Sequence, residues 1–228
     1  MKPAAPQKLE LEIGNAGAVS ALLDSPARPR ACYVFAHGAG AGMTHSFMAT
    51  VAAGLAERGI ATLRYQFPYM EKRSKRPDPP PVAHAAVRAA VAEAARRCPG
   101  LPLIAGGKSF GGRMTSQAQA GAPLAGVVGL AFFGFPLHPA GKPSDDRAKH
   151  LFDIKIPMLF LQGTRDSLAE LKLLAPVVKR LGRSATLHRV EGADHSFHVP
   201  VRSGRNDVEV MREILYAFAD WAGAIEAK

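Results

Sequence analysis

Residues 8–13, Lys-Leu-Glu-Leu-Glu-Ile, alternate polar and apolar side chains, the period of a strand with one face buried. Gly14-Asn15 marks a turn, and residues 18–23 form a weaker strand that would complete an antiparallel edge. Residues 31–36 are apolar throughout, as in a strand covered on both faces. Residues 46–58 predict a helix with Phe47, Val51 and Leu55 on one face, ending at Gly59. A strand at 60–65 follows, then a basic, proline-rich loop and an alanine-rich helix at 82–97. In that helix Val87 and Val91 lie one turn apart, and Arg96 and Arg97 suit the helix dipole. Pro99-Gly100 stops it, and the alternation continues with a strand at 101–106, a helix at 109–120 and a strand at 127–133. A 24-residue connection leads to a strand at 158–162. Ser167 and Glu170 predict a capping box for a helix ending at Gly182. The last strand is expected at 186–190, and Asn206 with Glu209 opens a final helix reaching about residue 225.

Strands that alternate with helices imply an α/β fold: a mostly parallel sheet with right-handed crossovers and helices on both faces. Ligands of such sheets sit at the carboxyl ends of the strands. A chain of 228 residues, 47% hydrophobic and 21% charged, fits one domain over residues 1–228 and is long enough to bury a full core. Two cysteines, Cys32 and Cys98, make a disulfide framework unexpected, and the N-terminal residues lack the apolar core of a signal peptide; a cytoplasmic location is expected. Residues 120–137 are uncharged and long enough to span a bilayer, but four glycines and two prolines divide them, which favours a buried strand flanked by loops.

The net charge of +10 is the unusual feature of the composition. Its Lys and Arg residues are scattered, with no nucleic-acid module among them. The densest cluster, Lys72-Arg73-Ser74-Lys75-Arg76, runs into Pro77-Asp78-Pro79-Pro80-Pro81 and reads as a solvated loop. No nucleic-acid or membrane partner is expected; the oligomeric state is left open.

Four groups at predicted strand ends carry candidate chemistry. Gly107-Lys108-Ser109-Phe110-Gly111 matches G-x-S-x-G between a strand and a helix. The turn is sharp, so side chains at its two glycines would strike neighbouring backbone while the serine stands exposed at the helix start. A phosphate-binding loop would need glycine at position 102, where the chain has Pro102. His195, just after the last strand, is the candidate base for the serine. Asp166 is the candidate partner of His195; Asp194 is a rival whose adjacency to His195 points its side chain elsewhere. His195 and His198 share an H-x-x-H spacing without a third ligand, so no metal or other cofactor is expected. Finally, His37-Gly38-Ala39-Gly40-Ala41-Gly42 forms a glycine-rich turn. There the N–H of Ala39 or Gly40, with that of Phe110, would form an oxyanion hole.

The order Ser109, Asp166, His195, with the His-Gly turn upstream, resembles the α/β-hydrolase superfamily over nearly the whole chain. The segments HGAGAGMTHSFM, LRYQFP, GGKSFGGRM, FFGFPLHPAGKP, LFLQGTRD and EGADHSF look most like a small, dienelactone-hydrolase-like branch. Its relatives include a hydrolase-like subunit of a nuclear histone-acetyltransferase complex. The resemblance implies an α/β-hydrolase fold and a serine hydrolase in which all three catalytic positions are filled. Serine replaces the cysteine nucleophile of dienelactone hydrolases proper, which argues against dienelactones as substrate.

The expected activity is cleavage of a small or exposed ester through an acyl-enzyme. The 134–157 connection leaves little room for a lid, and Tyr65, Phe133, Phe135 and Leu137 are expected as substrate-pocket walls. The rivals are a thioesterase or acyltransferase with the same three residues, a non-catalytic interaction protein on the hydrolase fold, and a binder of nucleic acid or anionic surfaces through the basic charge.

Overall fold

The computed structural model describes residues 5–226. Eight strands, β1 (Gln7–Glu12), β2 (Ala18–Asp24), β3 (Ala31–Ala36), β4 (Ile60–Tyr65), β5 (Leu103–Lys108), β6 (Val127–Phe133), β7 (Met158–Gly163) and β8 (Ala185–Val190), form one sheet in the order β1-β2-β4-β3-β5-β6-β7-β8. β1 and β2 are the antiparallel edge expected from residues 8–23, and every pairing from β4 to β8 is parallel. The helices are α1 (Ser46–Ala56), α2 (Pro68–Glu71), α3 (Pro80–Arg97), α4 (Phe110–Gly121), α5 (Leu171–Leu181) and α6 (Asp207–Glu226).

The period of two along each strand divides the core between the sheet's faces. Cys32 and Val34 of β3 join a cluster with Val87 of α3, Met114 of α4 and Leu174 of α5. Tyr33 and Phe35 point the other way, into a cluster with Val51 of α1 and Phe218 of α6. Helices therefore cover both faces, and β3, β4 and β6 read as continuous apolar sequence. Arg64 is the exception inside β4. Its guanidinium pairs with Asp24 at 2.9 Å and donates to the carbonyl of Met43 at 2.9 Å, tying the glycine-rich loop to the sheet.

Three expected elements are corrected. The fifth strand lies two residues later than 101–106, because Gly107 continues to pair with both β3 and β6 and Lys108 with β6. Ser167 does not cap a helix: α5 begins at Leu171 with Glu170 as its N-cap, and the Asp166 carboxylate takes the free N–H of Leu168 at 2.8 Å. At the last helix the expected box is present, with Asn206 and Glu209 each accepting the other's backbone N–H. Pro80 and Pro81 open α3 two residues before the expected start, where a missing N–H costs nothing.

The 134–157 connection carries one 3-10 segment, Asp146–Asp153, and no separate lid is present among the described residues. Residues 120–137 are the end of α4, a loop and β6. Among the described residues no helix is long and apolar enough to cross a membrane.

Candidate active site

β5 ends in Lys108, and α4 starts at Phe110, so one residue makes the whole turn. Ser109 takes φ 51° and ψ −115°, a backbone conformation unfavourable to any side chain. The flanking glycines make it feasible. A Cβ on Gly107 would lie 2.5 Å from the carbonyl oxygen of Ala36, and one on Gly111 would lie 2.5 Å from that of His37. The turn thus packs directly on the end of β3, and Ser109 projects from the carboxyl edge of the sheet.

His195 reaches this serine from the loop after β8. Its Nε2 lies 2.8 Å from Ser109 Oγ, and its Nδ1 lies 2.7 Å from Asp166 Oδ2. With Nδ1 protonated toward the carboxylate, Nε2 is free to accept from the hydroxyl. Asp166 is fully buried and accepts twice more, from Gln162 Nε2 at 2.5 Å and from Leu168 N–H. Gln162 is itself fixed, since its Oε1 accepts the Phe135 N–H at 2.9 Å. Asp194 faces elsewhere and holds the histidine loop by accepting the N–H groups of Ser196 and His198. His198 pairs with Asp207, and among the described residues no cluster of His, Cys, Asp or Glu is placed to hold a metal ion.

Lys108 is a further charge at the site. Its ammonium donates to the backbone carbonyl of His195 and lies 5.3 Å from the Phe197 ring centre and 5.7 Å from that of Phe47. Burial pushes it down to about 8, against the pull of Asp166 and Asp194. Gly134, opposite, leaves room for both groups: a Cβ there would stand 3.0 Å from Lys108 Nζ and 3.4 Å from the His195 ring.

The glycine-rich loop is shaped by side chains beneath it. His37 is buried, its Nε2 accepting the Phe67 N–H at 3.0 Å and its Nδ1 donating to the Gly38 carbonyl at 2.7 Å. Tyr69 donates to the Ala39 carbonyl at 2.9 Å, and Gln66 accepts the Met43 N–H at 2.9 Å. Gly38, Gly40 and Gly42 do not take positive φ; the loop is held by these bonds.

Burial pushes His37 down to about 4, the bond to Gly38 opposing. The unfolded chain binds this proton near pH 6.5 and the folded one only near 4, so His37 withdraws stability as pH falls through that window. The gap corresponds to about 3 kcal/mol at full extent. His150, pushed down to about 4 by burial and by Arg113, acts in the same direction. The urea midpoint is therefore expected to drop between pH 7 and 4.5. His37→Asn should flatten part of that slope; an unaltered slope would assign the acid sensitivity elsewhere.

Ser109 stands between two cavities. One, of about 410 Å³, is lined by Phe47, Met48, Lys108 and His195. The other, of about 430 Å³, is lined by Phe110, Arg113, Met114 and Arg147. Ala39, Ser109 and Leu168 border both.

Residues 29–223 match the family described as alpha/beta hydrolase domain. The chain belongs to this family. Solved structures repeat the fold of this alpha/beta hydrolase at low identity. XC6422 from Xanthomonas campestris, described as a serine hydrolase without lid, superposes with a TM-score of 0.74 at 20% identity, covering 97% of each chain. A dienelactone hydrolase from Anabaena variabilis gives a TM-score of 0.74 at 20% identity, covering 96% of this chain and 97% of its own. TT1662 from Thermus thermophilus gives 0.74 at 21% identity, covering all of both chains.

The hydrolase fold brings together Ser109, His195 and Asp166, with Phe110 and Ala39 on the same cavity and Gly40 on its neighbour. The expected walls are corrected. Tyr65, Phe133, Phe135 and Leu137 are completely buried and line neither cavity. They pack into the two core layers beneath the site, the ordinary core position open to each of them. The lining comes instead from helix and loop residues, including Phe47, Met48 and Leu168. Sequence reasoning also missed Gln162, whose polar side chain in the apolar run Met158–Gly163 was the available signal.

Proposed function

We propose that this alpha/beta hydrolase cleaves carboxylic esters through a Ser-His-Asp triad and an acyl-enzyme. The supporting observation is the unbroken chain Ser109 Oγ, His195 Nε2, His195 Nδ1, Asp166 Oδ2, with links of 2.8 and 2.7 Å. A serine hydroxyl becomes a competent nucleophile when a neighbouring base removes its proton. In this reading Ser109 Oγ attacks the ester carbonyl as its proton passes to His195 Nε2. Asp166 holds the ring in the required tautomer and stabilises the cation formed.

The carbonyl oxygen gains negative charge and is received by the N–H groups of Phe110, at the start of α4, and Ala39 or Gly40. Collapse expels the alcohol, which takes the proton from His195. Water, activated by the same imidazole, then attacks the acyl-serine and releases the acid.

A neutral fluorophosphonate tests this directly. The folded protein is expected to be labelled at Ser109, and peptide mapping locates the adduct. Folded protein that stays unlabelled after prolonged exposure would sink the proposal. Parallel assays with an oxygen ester and its thioester separate esterase from thioesterase within the same mechanism.

A further inference from the structure

The two cavities beside Ser109 are lined by different basic groups. His195 and Lys108 border one; Arg113 and Arg147 border the other. Arg113 lies on the first turn of α4, its N–H bonded to the Ser109 carbonyl at 3.1 Å, and its guanidinium is 5.9 Å from the Phe110 ring centre. Arg147 comes from the 3-10 segment of the 134–157 connection.

A guanidinium withdrawn from water is ordinarily matched by a carboxylate or by carbonyl acceptors. For Arg113, which is partly buried, the match is missing among the described residues. Arg113 Nε is buried and bonds to nothing among the described residues. Neither arginine forms an ion pair among the described residues. Asp78 also lines the cavity, but it accepts the Tyr69 N–H at 2.9 Å and pairs with neither. The charge acting on Arg113 is a like one, and burial together with Arg147 pushes its pKa down.

We propose that Arg113 and Arg147 receive a carboxylate carried at the far end of the substrate's acyl group, so that the enzyme prefers half-esters of dicarboxylic acids. The inference rests on the acyl-transfer reading of Ser109, which decides the side. The leaving-group oxygen must take a proton from His195 Nε2, so the alcohol occupies the cavity lined by His195 and the acyl chain the one lined by the arginines. A guanidinium presents paired N–H donors that match the two oxygens of a carboxylate. Lys72 and Arg76 border an adjoining hollow that shares Pro77 and Asp78 with this cavity, so part of the chain's basic excess lies beside the entrance. That placement would steer anions toward it.

The test compares 4-nitrophenyl hydrogen glutarate with 4-nitrophenyl methyl glutarate, which differ in the charge of one end. A third ester, of 3-phosphonopropionic acid, carries a phosphonate there. In wild type, kcat/KM is expected to favour the carboxylate ester about tenfold or more, and added salt to reduce the preference. Arg147→Gln should lower that ratio about tenfold, chiefly through KM, and the Arg113→Gln/Arg147→Gln double variant should bring it near one. Arg147 lies on the 3-10 segment and not on α4, so its single variant keeps the test valid if changing Arg113 disturbs α4. A wild-type ratio at or below one, a ratio indifferent to Arg147→Gln, or preference for the phosphonate alone would overturn the proposal. Fluorophosphonate labelling separates the two failures. Labelled Ser109 with no charge preference refutes only the anion receptor; unlabelled Ser109 refutes the acyl-transfer reading beneath it.

Discussion

Ser109→Ala is expected to lower kcat for a chromogenic ester by about 10⁵-fold or more, because nucleophile and base act as a unit and loss of either removes the covalent route. The fold should survive unchanged, since alanine meets the same backbone restriction at φ 51° as serine does. Ser109→Gly, which relaxes that restriction, should be more stable by about 1 kcal/mol and equally inactive. Measuring kcat and the thermal midpoint of both variants checks whether strain is held at Ser109. A second serine–histidine pair serves as the control. Ser116 Oγ lies 2.7 Å from His150 Nε2 but is fully buried and borders neither cavity beside Ser109. Ser116→Ala should therefore retain activity. If Ser109→Ala kept a tenth of the wild-type rate, hydrolysis would have to be assigned to another group.

The strands that fill the sheet were legible because nothing competes with burial along them. β3, β4 and β6 fall on the expected limits; β3 and β6 are apolar runs bounded by turn residues, and β4 departs from one only at Thr62 and Arg64. The errors arise where a residue serves a distant partner. Gly107 read as lying past the end of a strand, yet it remains in the sheet because only glycine fits beside Ala36. Ser167 and Glu170 carry the letters of a capping box, but the nearby backbone is arranged around Asp166, whose position is set by His195, 29 residues further on.

The same limit applies at the site. Ser109, His195 and Asp166 could be placed in one reading because each follows a strand at the same edge of a parallel sheet. Lys108, Gln162 and the ring of His37 act through carbonyls and N–H groups brought close only by the folded sheet. No periodicity announces them. The misassigned walls show the complementary case: an aromatic at a strand end is ambiguous until it is known which helix lies over it. Arg113 and Arg147 were counted in the sequence only as scattered charge, and the lack of an ion-pair partner for either among the described residues becomes visible only in three dimensions.

Asp166→Asn is expected to reduce kcat by about 10⁴-fold, the size of effect seen when a carboxylate orienting a catalytic histidine becomes an amide. The hydrogen bonds around Asp166 give the reason. One oxygen accepts from both His195 Nδ1 and Gln162 Nε2, and the other accepts the Leu168 N–H. An asparagine offers one oxygen and one NH₂. With the NH₂ toward His195, the ring must present an unprotonated Nδ1, and the proton moves to Nε2, which can then no longer accept from Ser109. The same NH₂ would also oppose the Gln162 amide, which cannot turn over without giving up the Phe135 N–H. With the NH₂ toward Leu168 instead, two donors face each other in a buried place, a loss of about 1–3 kcal/mol. No orientation satisfies every group, so stability should fall along with kcat. Asp194→Asn is the contrasting variant. Asparagine keeps the oxygen that caps the Ser196 and His198 N–H groups, and kcat should stay within a few-fold of wild type. Comparable losses in the two variants would mean that the carboxylate orienting His195 had been misidentified; a loss confined to Asp166→Asn assigns that task to the residue bonded to its Nδ1.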